Sequence, residues 1–229
     1  MNPRPSVASA LAGVPSATTA LSLFSLSHRV ALVTGGHGGI GLEMALALAE
    51  AGAVVYCLDL PSTPDADWVK VQGAAAPGRM EYLKGDVTDQ KALWDAVEDI
   101  VKKEGRLDVC IANAGIYGGH GCLDYPGEDL RKVLDVNVAG VFFTAQAAGR
   151  QMQKLGTPGS IILIASVAGT VSPKGVVAYN VSKSSVLQMA HSLAIELAPL
   201  GIRVNSISPG FIDAGCVQNI RIWLRGCFF

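Results

Sequence analysis

From Arg29 onward the chain alternates short apolar runs with longer stretches in which apolar residues recur every three or four positions. Runs apolar on successive residues, such as Ile161 to Ile164, are expected of strands covered on both faces. The pattern predicts strands at 29–34, 53–59, 80–84, 107–112, 160–165 and 202–208. Helical periodicity falls between them: Leu42, Ala45, Leu46 and Ala49 keep one face, as do Leu93, Val97, Ile100 and Val101, and Val186, Ala190, Leu193, Ala194 and Leu197. Another long helix is expected around the apolar run Val133 to Val141. Strands alternating with helices imply βαβ units, and therefore a parallel, doubly wound α/β sheet in a single domain spanning 28–213.

Composition agrees with a large core. Hydrophobic residues make up 50% of the 229 and charged ones 16%, which excludes a chain disordered throughout. With 18 basic and 19 acidic residues there is no uniform field to attract a polyanion, so a nucleic-acid partner is not expected. Cys57, Cys110, Cys122, Cys216 and Cys227 are odd in number and show no CxxC spacing, which argues against structural zinc and against a disulfide framework. Cys57 and Cys110 lie inside apolar runs and read as reduced core residues of a cytoplasmic protein. No apolar stretch reaches the ~18 residues of a membrane span, so no membrane partner is expected. Residues 1–27 are rich in Ser, Ala and Pro, lack acids and carry Arg4 as their one basic residue. They read as a flexible extension, with a mitochondrial presequence as the alternative.

Candidate chemistry begins where the first predicted strand meets Thr34-Gly35-Gly36-His37-Gly38-Gly39-Ile40-Gly41 and a helix pattern starts at Leu42. Glycines let a backbone turn sharply and approach a pyrophosphate, whose charge is met by the free amides of the helix N-terminus. Asp59 ends the second predicted strand, 18 residues past Gly41. A carboxylate there accepts hydrogen bonds from adenosine ribose hydroxyls and repels a 2'-phosphate. Neither Arg nor Lys stands in the turn or directly after Asp59, so NAD is expected rather than NADP.

Tyr179 and Lys183 are four apart in a predicted helix, hence one turn apart on one face. An ammonium so close favours phenolate over phenol, which suits Tyr179 to acid/base chemistry; by itself the spacing is equally that of an amphipathic surface pair. Ser166 directly follows the fifth predicted strand, at the carboxyl edge where ligands bind in open α/β sheets, and is either a substrate-oxygen holder or a turn cap. Asn137 is a polar residue inside an apolar helical run; its amide either satisfies backbone groups or holds water.

Taken in order, these motifs resemble those of the short-chain dehydrogenase/reductase family, in its TGxxxGxG and YxxxK branch, over residues 29 to 213. The resemblance implies a Rossmann fold and a catalytic tetrad of Asn137, Ser166, Tyr179 and Lys183. It implies cofactor contacts from Gly35, His37, Gly39, Ile40, Gly41 and Asp59, from Asp86 and Val87 at the adenine, and from Asn113, Ala114 and Gly115. Tyr179, Lys183, Pro209, Gly210 and Ile212 complete that set, and no metal is implied. In the implied mechanism Ser166 orients the substrate oxygen and Tyr179 exchanges its proton. Lys183 binds the nicotinamide ribose, and Asn137 holds a water that carries the proton outward. The substrate is then a secondary alcohol or ketone, and general likeness to fungal sugar and polyol dehydrogenases, including the lead-in Leu23 to Leu26, suggests a sugar alcohol or ketose. Pairing of helices between subunits in the family implies a homo-oligomer.

The likeness stops at Ala214, where the family usually carries threonine, and residues 214–229 offer no equivalent of its substrate-covering segment or last strand. A truncated or aberrant terminus is expected, leaving the sixth strand's edge and nearby apolar faces uncovered. A catalytically impaired NAD-binding fragment is therefore the competing reading. The remaining substrate loops are 116–125, 167–178 and 211–213, where Tyr117 and His120 are candidates to hydrogen-bond a hydroxylated substrate.

Overall fold

The computed structural model describes residues 21–212. Most of the expected N-terminal extension lies outside the described residues, as do Asp213, Ala214, Cys216, Cys227 and the whole of the 214–229 tail. Six strands form one sheet: β1 (Val30–Thr34), β2 (Val54–Asp59), β3 (Arg79–Lys84), β4 (Val109–Ala112), β5 (Gly159–Ile164) and β6 (Ile202–Ile207). All pair in parallel, in the order β3-β2-β1-β4-β5-β6. Each lies within two residues of the bounds its apolar run predicts.

Helices cover the sheet from both sides, as strands buried on two faces require. Along β1 the side chains alternate: Val30 and Leu32 belong to a core shared with Leu93 and Val97 of α3 (Gln90–Glu104), Met152 of α5 (Val141–Leu155) and Val186 of α6 (Val177–Leu197). Ala31 and Val33 face the opposite way, toward Leu42 and Ala45 of α1 (Gly39–Glu50) and Trp68 of α2 (Ala66–Gln72). Cys57 and Cys110 are buried in these two cores, and burial pushes both thiols up to about 12, so each packs as a small apolar group.

Local chemistry sets the helix ends. Asp89 caps α3 by accepting from the Ala92 amide at 3.0 Å, and Gly105 closes it in the left-handed region at φ +73°, which glycine adopts without cost. Asp65 caps α2 by accepting from Trp68 N–H at 2.9 Å. The long helix expected around Asn137 is present but not uniform: α4 (Gly127–Leu134) runs through a π-helical stretch (Asp135–Gly140) into α5. Among the described residues no strand pairs with the outer edge of β6, and Ile207 at its end and Phe211 and Ile212 beyond it are exposed.

At the amino ends of the strands Asp108 is buried, ties β1 to β4 and carries two arginines. It accepts from Val30 N–H at 2.9 Å, from Arg29 at 2.7 Å, and from Arg106 through two bonds of 2.8 and 2.6 Å. Burial would raise its pKa, but Arg106, the Val30 amide and Arg29 together hold it below the usual carboxylate range. Its contribution to stability is thus fully present at neutral pH and is lost as pH falls through the folded value. Asp108→Ala is expected to cost about 2–3 kcal/mol at pH 7. In thermal melts the deficit should shrink as pH falls below about 4, where the carboxylate of the unfolded chain takes up a proton that the folded one still resists.

Candidate active site

The strand order reverses between β1 and β4: β1 leads into a helix on one face of the sheet, β4 into helices on the other. At such a switch point the connections diverge and leave a crevice beyond the carboxyl ends of the strands. The crevice here is a cavity of about 1690 Å³. That exceeds the ~300–1,000 Å³ of common small-ligand pockets and leaves room for a dinucleotide beside a substrate.

Its floor is pinned across the switch point. The Asn113 amide Nδ2 donates to the carbonyls of Thr34 and Gly35, both at 3.1 Å. The Thr34 hydroxyl in turn accepts from the Asn113 and Ala114 amides at 3.2 and 3.3 Å. Gly35 turns at φ +66°, and a Cβ there would sit 2.8 Å from Asn113 Nδ2; a Cβ at Gly41 would run into the Gly35 carbonyl oxygen. The turn therefore closes only with glycine. The amino end of α1 has no side-chain cap and no acid in its first turn, and a Cβ at its N-cap Gly38 would meet nothing within 4 Å. Gly39, Ile40 and Gly41 line the cavity there, so orphan amides and the positive end of the helix face open space, a site that fits a pyrophosphate.

Asp59 also lines the cavity, and its carboxylate accepts from the amides of His37 at 3.0 Å and Leu60 at 2.8 Å. His37 departs from expectation. Its ring turns out of the cavity because Nε2 accepts from Asp65 N–H at 3.1 Å, and the ring meets Tyr82 edge-on with centroids 5.8 Å apart. Asp86 and Val87 line the cavity, with Asp86 accepting from the amide and the hydroxyl of Thr88.

At the far end Ser166, Tyr179 and Lys183 converge on the same cavity with Ala114, Gly115, Pro209, Gly210 and Ile212. Ser166 lines the cavity, and its Oγ accepts from Ala168 N–H at 3.1 Å to cap a short turn. Lys183 is 4% exposed; its Nζ donates to the Ile164 carbonyl at 2.8 Å and lies 5.6 Å from the Tyr179 ring centroid. Burial pushes the ammonium down to about 8. Tyr117 packs its ring 5.2 Å from that of Tyr179.

Asn137 is fully buried and does not line the cavity. Of the two alternatives the sequence leaves open, its side chain takes the first. Oδ1 accepts from Ile116 N–H at 2.8 Å, and Nδ2 donates to the Ile116 carbonyl at 2.9 Å and to Ser182 Oγ at 3.0 Å. Both amide protons are thereby committed. Ser182, which the sequence reading missed, relays the contact by donating to the Tyr179 carbonyl at 2.7 Å. Trp68 was missed too: it is fully buried, and its indole N–H donates to the Gly36 carbonyl at 3.1 Å, holding the glycine turn from behind. His120 lies apart from the cavity, with Nε2 2.8 Å from Asp129 and its ring edge-on to Tyr125. Among the described residues no group of three or more His, Cys, Asp or Glu side chains is arranged to hold a metal ion, and no helix is long and apolar enough to cross a membrane.

The short chain dehydrogenase family model matches residues 29–225. A short chain dehydrogenase/reductase of Aspergillus versicolor is 40% identical over 202 residues, covering 83% of this chain and 68% of its own. A sorbose reductase of Schizosaccharomyces pombe is 39% identical over 219 residues, covering 87% and 81%. Among solved structures, a short-chain type dehydrogenase/reductase from Mycobacterium marinum superposes with TM-score 0.83 at 38% identity, covering 90% of this chain and 81% of that one. An NAD+-bound xylitol dehydrogenase superposes with TM-score 0.79 at 33% identity, covering 87% and 76%.

The buried Lys183 yields a stability prediction. Its folded pKa lies below that of an exposed lysine, near 10.4, so between about 8 and 10.4 the unfolded chain binds more protons and stability rises with pH. Lys183→Met removes that titration. Any advantage in melting temperature of the variant over wild type at pH 7 should therefore decline steadily in melts taken from pH 8 to pH 10.

Proposed function

Because the chain belongs to the short-chain dehydrogenase family, we propose that it is an NAD-preferring enzyme of the cytoplasm, working as a homo-oligomer on a sugar alcohol or its ketose. The chain is an NAD(P)-dependent oxidoreductase that moves hydride between an alcohol and a ketone. The finer reading rests on one observation above others: Ser166, Tyr179 and Lys183 line the same cavity as Asp59 and the uncapped amino end of α1. That convergence also disfavours a nucleotide-binding fragment without a reaction site.

When bound, the nicotinamide supplies or accepts the hydride. The chain's own residues do the rest. Ser166 Oγ holds the substrate oxygen, and the Tyr179 hydroxyl gives it a proton in reduction or takes one in oxidation. Positive charge on Lys183 stabilises the Tyr179 oxygen as that proton moves, and Lys183 holds the nicotinamide ribose. Asn137 acts through others: by fixing Ile116 and, through Ser182, the Tyr179 carbonyl, it sets the distance between the β4 loop and α6.

Preference for NAD is supported by Asp59, which stands at the cavity wall with no Arg or Lys in the glycine turn. A polyhydroxylated substrate is supported by the relatives that act on sorbose and xylitol and by Tyr117, Ser172 and Lys174 at the cavity wall. Self-association is supported by apolar side chains left exposed along α6, Val177, Val181 and Ile195 among them.

The test is to mix the purified chain with NADH or NADPH and a panel of ketoses and simple ketones, following cofactor oxidation. Ketose reduction with NADH is expected to give the highest kcat/KM. Tyr179→Phe should lower kcat at least ~100-fold, the low end for loss of a general acid, while NADH binding by fluorescence stays within about twofold of wild type. A variant that keeps the wild-type rate refutes the assignment of Tyr179. In Asp59→Ser the ratio of kcat/KM for NAD to that for NADP should fall by about tenfold or more, as a repelling carboxylate is removed.

A further inference from the structure

The segment between β5 and α6 brings Val171, Ser172, Pro173, Lys174 and Val176 to the cavity wall, and three of these, Val171, Ser172 and Lys174, are exposed. Two attachments to α6 hold it from behind. At its beginning the Ser184 hydroxyl donates to the Gly169 carbonyl, and Gly169 lies so close to the helix that a Cβ there would sit 2.8 Å from the Lys183 backbone. At its end Asn180 Nδ2 donates to the Pro173 carbonyl at 2.9 Å, while the Asn180 main-chain N–H makes the ordinary helical bond to the Val176 carbonyl, also at 2.9 Å. The side-chain bond therefore spans the turn at Lys174 and Gly175, where Gly175 adopts φ +78°. Asn180 itself does not line the cavity and acts on it only through this segment.

Its energetics single Asn180 out. Oδ1 is buried and, among the described residues, has no hydrogen-bond partner. The net gain from one hydrogen bond between protein groups is of the same order as the cost of burying an acceptor without a partner. The side chain thus adds little net stability to the fold, yet it fixes the place of the Pro173 carbonyl. Two polar groups offered to a substrate, Ser172 and Lys174, stand on either side of that anchor. The opposite loop rests on the same segment: a Cβ at Gly119 would lie 3.4 Å from the Gly175 carbonyl and 3.6 Å from both Val176 and the Tyr117 ring, which packs 5.2 Å from the ring of Tyr179.

We propose that Asn180 is a positioning residue for substrate selection. By holding Pro173 it places Ser172 and Lys174 against the part of the substrate that extends beyond the carbon undergoing hydride transfer. A ketone too short to reach them is indifferent to it. This rests on the reduction of a ketone beside Ser166 and Tyr179, and not on which ketone or which cofactor is preferred.

The experiment is steady-state reduction by the full chain, in wild type, Asn180→Ala and Asn180→Asp, with reduced cofactor saturating. The substrates are two graded series, from 2-butanone to 2-octanone and from dihydroxyacetone to the ketohexoses. In both variants KM for the longest ketone that wild type turns over should rise about tenfold or more with kcat within about threefold, while KM for the shortest changes by less than about twofold. The aspartate matters because it keeps the size of the side chain and, as a carboxylate, has no proton to donate to Pro173. Equal rises in KM along a series, or KM unchanged in both variants, overturn the proposal. So does a melting temperature in Asn180→Ala more than about 5 °C below wild type, since the side chain would then hold the fold and not the wall. If wild type prefers the simple ketones, the sugar reading of the substrate falls while the trend along the series still decides the role of Asn180; a wild type that reduces no ketone overturns both.

Discussion

Two strands that part company hold the molecule's function between them. β1 and β4 are neighbours in the sheet, yet the chain leaves them toward opposite faces, and the gap that results is kept at a fixed width by the Asn113 amide bonded to the Thr34 and Gly35 carbonyls. Everything around the gap is built to that width. Gly35 and Gly41 lack side chains because the backbones approach within the space a Cβ would need. The amino end of α1 faces the opening because the turn is short, and no side chain caps it.

A second brace joins the reacting end to the same floor. Gly115 lies where a Cβ would come within 3.3 Å of Asn137 Oδ1 and 3.4 Å of Lys183 Nζ, so the end of β4, the π-helical stretch and α6 meet at one residue. Hydrogen bonds in series, from Asn137 through Ser182 to the Tyr179 carbonyl, polarise one another in a dry interior. The widened turn at residues 135–140 is part of this arrangement, since π-helical insertions re-aim side chains and recur at functional sites.

Sequence alone disclosed the strands, the sheet class and many of the residues that line the cavity, because each depends on local pattern: Ile161 to Ile164 are apolar in succession, and the glycines follow a strand directly. What stayed hidden depends on contacts between distant residues. Helix α2 is seven residues long, too short for a period to emerge, and it forms because Asp65 caps it and Trp68 buries against the glycine turn. Ser182 carries no pattern of its own within the helix; only the approach of Asn137, 45 residues earlier, reveals its use. For His37 the turn placed the backbone correctly, but the side chain follows Asp65, a partner 28 residues away. Asn137 shows the same limit, since a buried amide announces that it has partners without naming them.

The position of β1 at the centre of the sheet has a kinetic consequence. One side of it pairs with β2 through a connection of about twenty residues, while the other must wait for β4 and Asp108, 78 residues beyond Val30. Closing so long a loop costs chain entropy before any contact repays it, which slows parallel sheets relative to helical bundles. During synthesis β1 to β3 emerge first with one flank of β1 unpaired, and arrival of β4 both seals that flank and opens the crevice. Opening of the ligand cleft and sealing of the free flank of β1 are therefore a single event on the folding path, with β5 and β6 still to be added beyond β4.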